Sequence, residues 1–207
     1  SDHFNLSLTY NQAFNKHNLS IVPKLFYSKI NDLIFLERSS PTEWTYTNIG
    51  YLTTQGFEIS VNYSYKNLRL NGVFNYYGNY NSKFDNQDLR NDFFYSSDMV
   101  AGASYLFKKP GLKIIFNYKY TGTVNSYYLN DDIIAESYIG DYHTFNISVT
   151  QRFWNKKILL AAGIKNLFDV KQVDMMGDVY GVSNPSNANT LNVLWGRSFF
   201  MSLNFNF

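Results

Sequence analysis

The last sixteen residues of the chain, 192–207, alternate between apolar and small polar side chains and end on an aromatic residue. One face of this segment carries Val193, Trp195, Phe199, Met201, Leu203, Phe205 and Phe207, and the other carries Asn192, Gly196, Ser198, Ser202, Asn204 and Asn206. A period of two over this length predicts a β-strand. An apolar edge this long suits a strand in a bilayer wall, where one face meets lipid and the other a hydrated interior.

The composition agrees with a chain made of such strands. Aromatic residues make up 19% of the 207 residues, with 18 Tyr and 18 Phe, and the net charge is only +2. A charge this small gives no indication of a nucleic-acid partner. The mean hydropathy is −0.29, and no apolar run approaches the ~20 residues that a membrane helix needs. The chain has no Cys, which excludes disulfides and thiolate metal sites.

Alternation and turn-forming residues predict nine strands, separated by connections that are alternately short and long. The strands are predicted at about 3–13, 18–36, 47–65, 68–82, 96–107, 111–124, 138–153, 158–168 and 192–207. The short connections lie near 15–17, 66–67, 108–111 and 154–157, and the long ones at about 37–46, 83–95, 125–137 and 169–191. Outer-membrane barrels have short periplasmic turns and longer extracellular loops. The predicted fold class is therefore an all-β, antiparallel transmembrane β-barrel.

The odd number of strands has a consequence for domain organisation. The first and ninth strands run in the same direction, whereas bacterial single-chain barrels have even, antiparallel strand sets. An open sheet edge in hydrocarbon would leave backbone groups unsatisfied, at several kcal/mol each. We therefore expect residues 1–207 to be the C-terminal portion of a larger barrel. The alternatives are a closed eight-stranded barrel, if the first strand is misassigned, and a soluble β-sandwich or lipocalin-like barrel.

The residues that could carry chemistry are few. The chain shows no catalytic constellation, no phosphate-binding loop and only three dispersed His residues, so we expect no enzyme activity, no metal site and no cofactor. Ligand contacts are expected in the long connections, because Tyr, Trp and Asn combine flat contact area with hydrogen bonding. The candidates are Trp44, Tyr46, Tyr127, Tyr128, Tyr180, Asn184 and Asn187.

Arg197 has the apolar parity of the last predicted strand, ten residues before Phe207. At ~3.3 Å per residue and a tilt of ~40°, this places it about 25 Å above the chain end. The outer headgroup zone lies at that height. We therefore expect Arg197 to contact lipopolysaccharide.

Three segments, in order, resemble TonB-dependent outer-membrane receptors. Gly163-Ile-Lys-Asn-Leu-Phe-Asp169 resembles the Gly-x-x-Asn-Leu-Phe-Asp motif of their penultimate strand, and Thr54-Gln-Gly-Phe-Glu58 resembles their recurring Thr-x-Gly-Phe-Glu strand. The segment 194–207 resembles their closing strand, with a Gly-Arg pair before a terminal aromatic residue. The Asn-, Tyr- and Lys-rich composition resembles that of Bacteroidetes envelope proteins.

The resemblance implies a 22-stranded barrel of the bacterial outer membrane, of which these would be the last nine strands. The partners that it implies are the rest of the barrel with its plug, and the TonB energy-transducing complex, which would act through the missing N-terminal part. They also include outer-membrane lipid and lipopolysaccharide, and a surface lipoprotein. Leu203, Phe205 and Phe207 resemble the C-terminal signal of the barrel-assembly machinery, although Ser202 replaces the small glycine expected nearby.

The function that the resemblance implies is active uptake of a scarce nutrient: a siderophore, cobalamin, haem, a peptide or a glycan. This chain would supply barrel wall and extracellular loops. Two alternatives remain open from the residues alone. One is a passive or structural outer-membrane barrel, such as a porin, an adhesin or a small eight-stranded barrel. The other is a soluble β-domain that binds a partner.

Overall fold

The computed structural model describes residues 1–40, 43–48, 50–81, 93–130, 133–155, 157–176 and 189–205, with the side chains of 35–40, 43–45, 47, 126–130 and 133–135 outside the described set. The strands are β1 (Asp2–Ser7), β2 (Tyr10–Phe14), β3 (His17–Asn31), β4 (Ile34–Ser40), β5 (Glu43–Asn48), β6 (Tyr51–Tyr65), β7 (Leu68–Asn81), β8 (Phe94–Phe107), β9 (Leu112–Thr121), β10 (Val124–Asn130), β11 (Ile133–Ile139), β12 (Tyr142–Phe153), β13 (Ile158–Lys165), β14 (Gln172–Met176), β15 (Thr190–Asn192) and β16 (Ser198–Phe205). No helix long and apolar enough to cross a membrane occurs in this part of the chain.

One large antiparallel sheet, here called the wall sheet, follows the order β1–β3–β6–β7–β8–β9–β12–β13–β16, with β2 also paired to β3. It therefore has nine positions, as the sequence predicts, because β1 and β2 together occupy the place of the first predicted strand. The break between them lies opposite Pro23. The amide of Leu8 donates to the carbonyl oxygen of Pro23 at 3.1 Å, but proline has no N–H with which to return the bond.

The strand register aligns the apolar residues of neighbouring strands on one face of the wall sheet. Residues directly opposite each other in neighbouring strands share a face. Ile59 lies opposite Pro23 on one side and Phe74 on the other, and Phe74 lies opposite Met99. The same apolar rows continue to the last strand, where Met201 lies opposite Ala162. One face of the wall sheet is thus apolar from β1 to β16.

None of the described residues covers this apolar face. Phe199 is 75% exposed and Met201 77% exposed, and Phe57 and Ile59 are also exposed. The only buried hydrophobic side chains among the described residues are Val173 and Met175, which lie outside the wall sheet. A soluble sandwich would bury such a face in a dry core, so the structure excludes that alternative and shows a partial barrel.

Several predicted strands are too long, because the chain turns where the local residue accepts a positive φ. Asp32 has φ 55° and separates β3 from β4, Asn166 has φ 52° and ends β13, and Gly196 has φ 91° just before β16. The last strand therefore begins at Ser198 instead of residue 192. Residues 193–197 do not belong to it, so its alternation does not extend to Arg197.

The long connections contain short strands that the sequence analysis did not predict. β4 and β5 form a hairpin of their own, and β10, β11, β14 and β15 form a four-stranded sheet, here called the loop sheet. The loop sheet joins parts of two predicted connections, 125–137 and 169–191. Most of the connection predicted at 83–95 lies outside the described residues.

Candidate functional site

A row of polar side chains crosses the second face of the wall sheet at one height. Successive strands contribute Ser7, Lys24, Glu58, Asn75, Asp98 and Thr121, each directly opposite the next. His3, Lys24, Glu58, Asn75 and Tyr77 line a concavity of about 320 Å³ on this face. Hydrogen-bonding groups of both charges are therefore available where a barrel of this kind would have its interior.

Asp98 organises part of this row. Its carboxylate accepts hydrogen bonds from the Tyr77 hydroxyl at 3.2 Å and from the Gly122 amide at 3.3 Å. A Cβ on Gly122 would overlap the carbonyl oxygen of Ser97, so a glycine allows this close approach. The Thr121 hydroxyl, opposite Asp98, is buried without a hydrogen-bond partner in the described part of the chain. A buried unpaired hydroxyl is costly, which favours a partner supplied by water or by another part of the protein.

The loop sheet contains two buried hydrophobic side chains at the end of the wall away from the short turns. Met175 is 2% exposed and Val173 is 7% exposed. The Gly140 amide donates to the carbonyl oxygen of Asp174 at 2.7 Å, and the Met175 amide donates to that of Asn189 at 2.9 Å. Two chain segments that are distant in sequence are thereby held together beside the end of the wall.

The residues of the Gly-x-x-Asn-Leu-Phe-Asp segment hold the turn after β13. Asn166 is buried, and its side chain both donates to the carbonyl oxygen of Val170 at 2.7 Å and accepts from the Val170 amide at 3.1 Å. Its own amide donates to the side-chain oxygen of Asn146 at 2.8 Å. Asparagine tolerates the left-handed conformation better than most residues. The Asn166 backbone can therefore adopt the turn conformation, and its side chain stabilises the turn through the hydrogen bonds to Val170.

The Gly-Arg pair before the last strand contacts this same turn. Asp169 accepts a hydrogen bond from the Arg197 amide at 2.7 Å, and the Arg197 Nε donates to the carbonyl oxygen of Leu167 at 3.0 Å. The bond from the Arg197 amide, followed by the ion pair with Lys171 at 3.5 Å, holds the pKa of the Asp169 carboxyl below its usual value. We call Asn166, Asp169, Gly196 and Arg197 the closing-turn cluster.

The predicted ligand residues lie in separate elements. Tyr46 is in β5, opposite Leu36, and its side chain is 76% exposed. Trp44 lies opposite Arg38 in the same hairpin, whereas Tyr127 and Tyr128 lie in β10 of the loop sheet. The side chains of Trp44, Tyr127 and Tyr128 lie outside the described set, and Tyr180, Asn184 and Asn187 lie outside the described residues altogether. No strand pairing in the described ranges connects the β4–β5 hairpin with the loop sheet.

The predicted assembly and lipid residues lie near the ends of β16. Leu203 lies opposite Leu160 and Phe205 opposite Ile158, both on the exposed apolar face, whereas Phe207 is outside the described residues. Arg197 lies before the first residue of β16, at the end of the wall away from the short turns. Its contact with lipopolysaccharide stays a prediction.

Neither the polar row nor the closing-turn cluster was predicted as a site from the sequence. The sequence does contain an indication of the polar row, because Glu58 and Asp98 alternate with apolar residues and so fall on the polar face of their strands. Among the described residues, no group of three or more His, Cys, Asp or Glu side chains could hold a metal ion.

Comparison with known proteins places this geometry in a family. Residues 1–167 match the family model "TonB dependent receptor-like, beta-barrel", and no curated protein matches the sequence. Two similar solved structures are the FrpB iron transporter from Neisseria meningitidis (F3-3 variant), with 15% identity, 98% of this chain covered and a TM-score of 0.67, and the copper transporter OprC, with 17% identity, 99% covered and a TM-score of 0.65.

The chain spans 31% of the length of each of these two structures. At such low identity the likeness shows the fold, which is that of part of a larger barrel. The family match covers most of the chain and agrees with the two-faced wall sheet. The chain therefore belongs to the family of TonB-dependent receptor-like β-barrels.

Proposed function

We propose that the protein containing this chain takes up a scarce nutrient across the bacterial outer membrane by TonB-dependent active transport. The nutrient would be a siderophore, cobalamin, haem, a peptide or a glycan. The observation that carries the proposal is the wall sheet, which has an uncovered apolar face and a polar face crossed by the row from Lys24 to Thr121. The family is one of receptors and transporters, and we propose no catalytic role.

In this proposal residues 1–207 are the C-terminal portion of a 22-stranded barrel. The resemblance of 163–169 and 194–207 to the family's closing segments supports this placement. The remaining barrel strands would pair with the outer edges of β1 and β16, which have one neighbour each among the described strands. The plug would lie against the polar face, the TonB complex would act through the plug, and a surface lipoprotein could cover the loops.

The role of the long connections is ligand capture. Tyr46 supports it, because its ring is largely exposed on a hairpin beyond the wall. Trp44, Tyr127, Tyr128, Tyr180, Asn184 and Asn187 are proposed as further contacts on the same chemical grounds. Leu203, Phe205 and Phe207 are proposed as the signal for barrel assembly.

Uptake measurements on the full-length protein test the proposal. A strain lacking the chromosomal gene, with and without the gene restored, is given labelled ferric siderophore, cyanocobalamin, haemin, a tripeptide and a maltooligosaccharide. We expect one probe class to accumulate only with the restored gene, and accumulation to stop when TonB is inactivated or the proton-motive force is collapsed. Accumulation that persists without TonB would instead identify a passive barrel.

The loop residues are tested in the same assay. Tyr46→Ala is expected to raise the half-saturating concentration about tenfold, the loss of roughly 1.4 kcal/mol of binding free energy. Tyr10→Ala, on the lipid-side face of β2, is the matched control and should leave uptake unchanged. Equal uptake by both variants would remove Tyr46 from the binding site.

A further inference from the structure

The four short turns of the wall sheet share a sequence arrangement. In each turn the preceding strand ends on an aromatic residue of the apolar face, and lysine follows within the turn. The pairs are Phe14 with Lys16, Tyr65 with Lys66, Phe107 with Lys108 and Lys109, and Phe153 with Lys157. All four turns lie at the same end of the sheet, because the strands they connect are antiparallel neighbours. We call the five lysines the turn rim.

Among the residues that the structure describes, no Asp or Glu lies near the turn rim. The segments 3–31, 59–84, 99–130 and 142–168 contain no Asp or Glu, and each of them includes one of the four turns. The nearest acid along the chain from Lys66 is Glu58. Eight strand residues at ~3.3 Å each separate these two backbones by about 26 Å. That exceeds the screening length of ~8–10 Å in physiological salt, so the rim keeps a local positive charge that the +2 net charge hides.

The side chains at the second turn show how the aromatic and basic groups are combined. The Lys66 ammonium lies 4.9 Å from the centre of the Tyr65 ring. His17 stacks on the same ring at 4.1 Å, and its Nδ1 is 2.7 Å from the Tyr63 hydroxyl. The rings therefore form a platform on the lipid-side face, with the charge at its outer margin.

We propose that the turn rim binds the phosphate groups of anionic phospholipids in the leaflet that the short turns face. The inference rests on the membrane placement in the proposed function. Aromatic rings at the depth of the headgroups, with basic side chains extending toward the phosphates, are the arrangement found at membrane interfaces. The terminal aromatics belong to the outward face, which favours lipid over an acidic protein segment inside the barrel.

Native mass spectrometry of the full-length protein, released from nanodiscs of equal phosphatidylglycerol and phosphatidylcholine, tests the inference. One lysine near an anionic membrane surface contributes on the order of a fivefold gain in binding. We expect wild-type protein to retain more phosphatidylglycerol than phosphatidylcholine. In K66Q/K108Q/K109Q, the ratio of bound phosphatidylglycerol to bound phosphatidylcholine should be at least tenfold lower. K29Q/K119Q/K165Q has the same change in charge at lysines away from the rim and should keep the wild-type preference.

Three results would overturn the inference. The first is an equal lipid preference in wild type and the rim variant, and the second is an equal loss in the rim variant and its control. The third is the absence of lipid preference together with carbodiimide crosslinks from the rim lysines to protein carboxylates, which would assign the rim to an acidic protein segment. Failure of the protein to insert into the nanodiscs at all would instead contradict the proposed function.

Discussion

The wall sheet and the loop sheet are stabilised in opposite ways. The wall has nine strand positions and no buried hydrophobic side chain among its described residues, whereas the loop sheet has four short strands and contains both Val173 and Met175. The wall must therefore obtain its apolar stabilisation from lipid. In the loop sheet, protein atoms alone bury these two side chains, as they do in a soluble domain. A barrel can therefore hold a folded loop structure outside the membrane, because the buried side chains of that structure do not depend on the bilayer.

The expected effect that reaches the largest part of the molecule comes from a charge placed on the lipid-side face of the wall. Ile59→Arg puts a guanidinium in the apolar row of β6, and we expect it to destabilise the barrel by about 3 kcal/mol, since arginine at the bilayer midplane costs about 2–4 kcal/mol. Ser60→Arg, the next residue on the polar face, should change the stability by less than 1 kcal/mol. Urea unfolding of the full-length protein in lipid vesicles measures both, and equal losses would contradict the assignment of faces.

The second effect should be confined to the loop sheet. Met175→Ala removes a buried side chain, and large-to-small changes of this type cost about 2–5 kcal/mol. Met176, its neighbour, is 49% exposed, so Met176→Ala is the control and should cost little. Hydrogen exchange should become faster in β10, β11 and β14 only for Met175→Ala, with the wall strands unchanged. Faster exchange throughout the wall would show that the two sheets are not independent.

These two sheets also differ in how much of them the sequence predicts. A period of two fixes the face of every wall residue once one is known, so the apolar rows were predictable from Phe4 to Phe205. The loop sheet was not, because its strands are short and the pairing that joins its two halves, β11 with β14, links residues 36 to 38 positions apart. Met175 and Met176 are adjacent in the sequence, and only the pairing with Asn189 and the Gly140 region decides that Met175 is the buried one.

The strand ends were the least predictable part of the wall. The sequence alternation continues past Asn31 and Lys165 and already begins at residue 192, but β3 and β13 end at Asn31 and Lys165, and β16 begins only at Ser198. A residue with positive φ lies at each of these three boundaries, and two of the three, Asp32 and Asn166, are not glycine. The hydrogen bonds that favour these turns come from distant residues such as Gly50 and Asn146. For the candidate site, the sequence predicts loop aromatics, of which Tyr46 alone has a described side chain, but it does not predict the polar row, because no local motif marks it.

A third, smaller effect is expected at the closing-turn cluster, which joins the end of the wall to the segment leading into β16. Asn166→Ala removes the side-chain bonds to Val170 and leaves a β-carbon at φ 52° without compensation. We expect a loss of about 1–3 kcal/mol. Asn166→Gly relieves the backbone strain and loses only the hydrogen bonds, so it should be less destabilising. Thermal unfolding in detergent ranks the two variants, and the reverse order would contradict this explanation of the turn.

The smallest effect concerns pH. The pKa of the Asp169 carboxyl is lowered in the folded protein, so its stabilising contribution is complete above the ordinary carboxyl pKa of about 3.8 and is lost as pH falls through the lowered value. Protection of the Arg197 amide, corrected for intrinsic exchange, should therefore decrease in that acidic range. Asp169→Asn should give a flat profile over the same range, and a wild-type profile that is equally flat would refute the role of this carboxylate.

The two environments of the wall can be measured residue by residue. The chain contains no Cys, so single cysteines at 57–62 in an otherwise cysteine-free full-length protein can each carry a nitroxide label in lipid vesicles. We predict that labels at 57, 59 and 61 are accessible to oxygen dissolved in the bilayer, and that labels at 58, 60 and 62 are accessible to a water-soluble nickel complex. Accessibility that does not alternate, or odd positions shielded from both reagents, would contradict the lipid-facing wall.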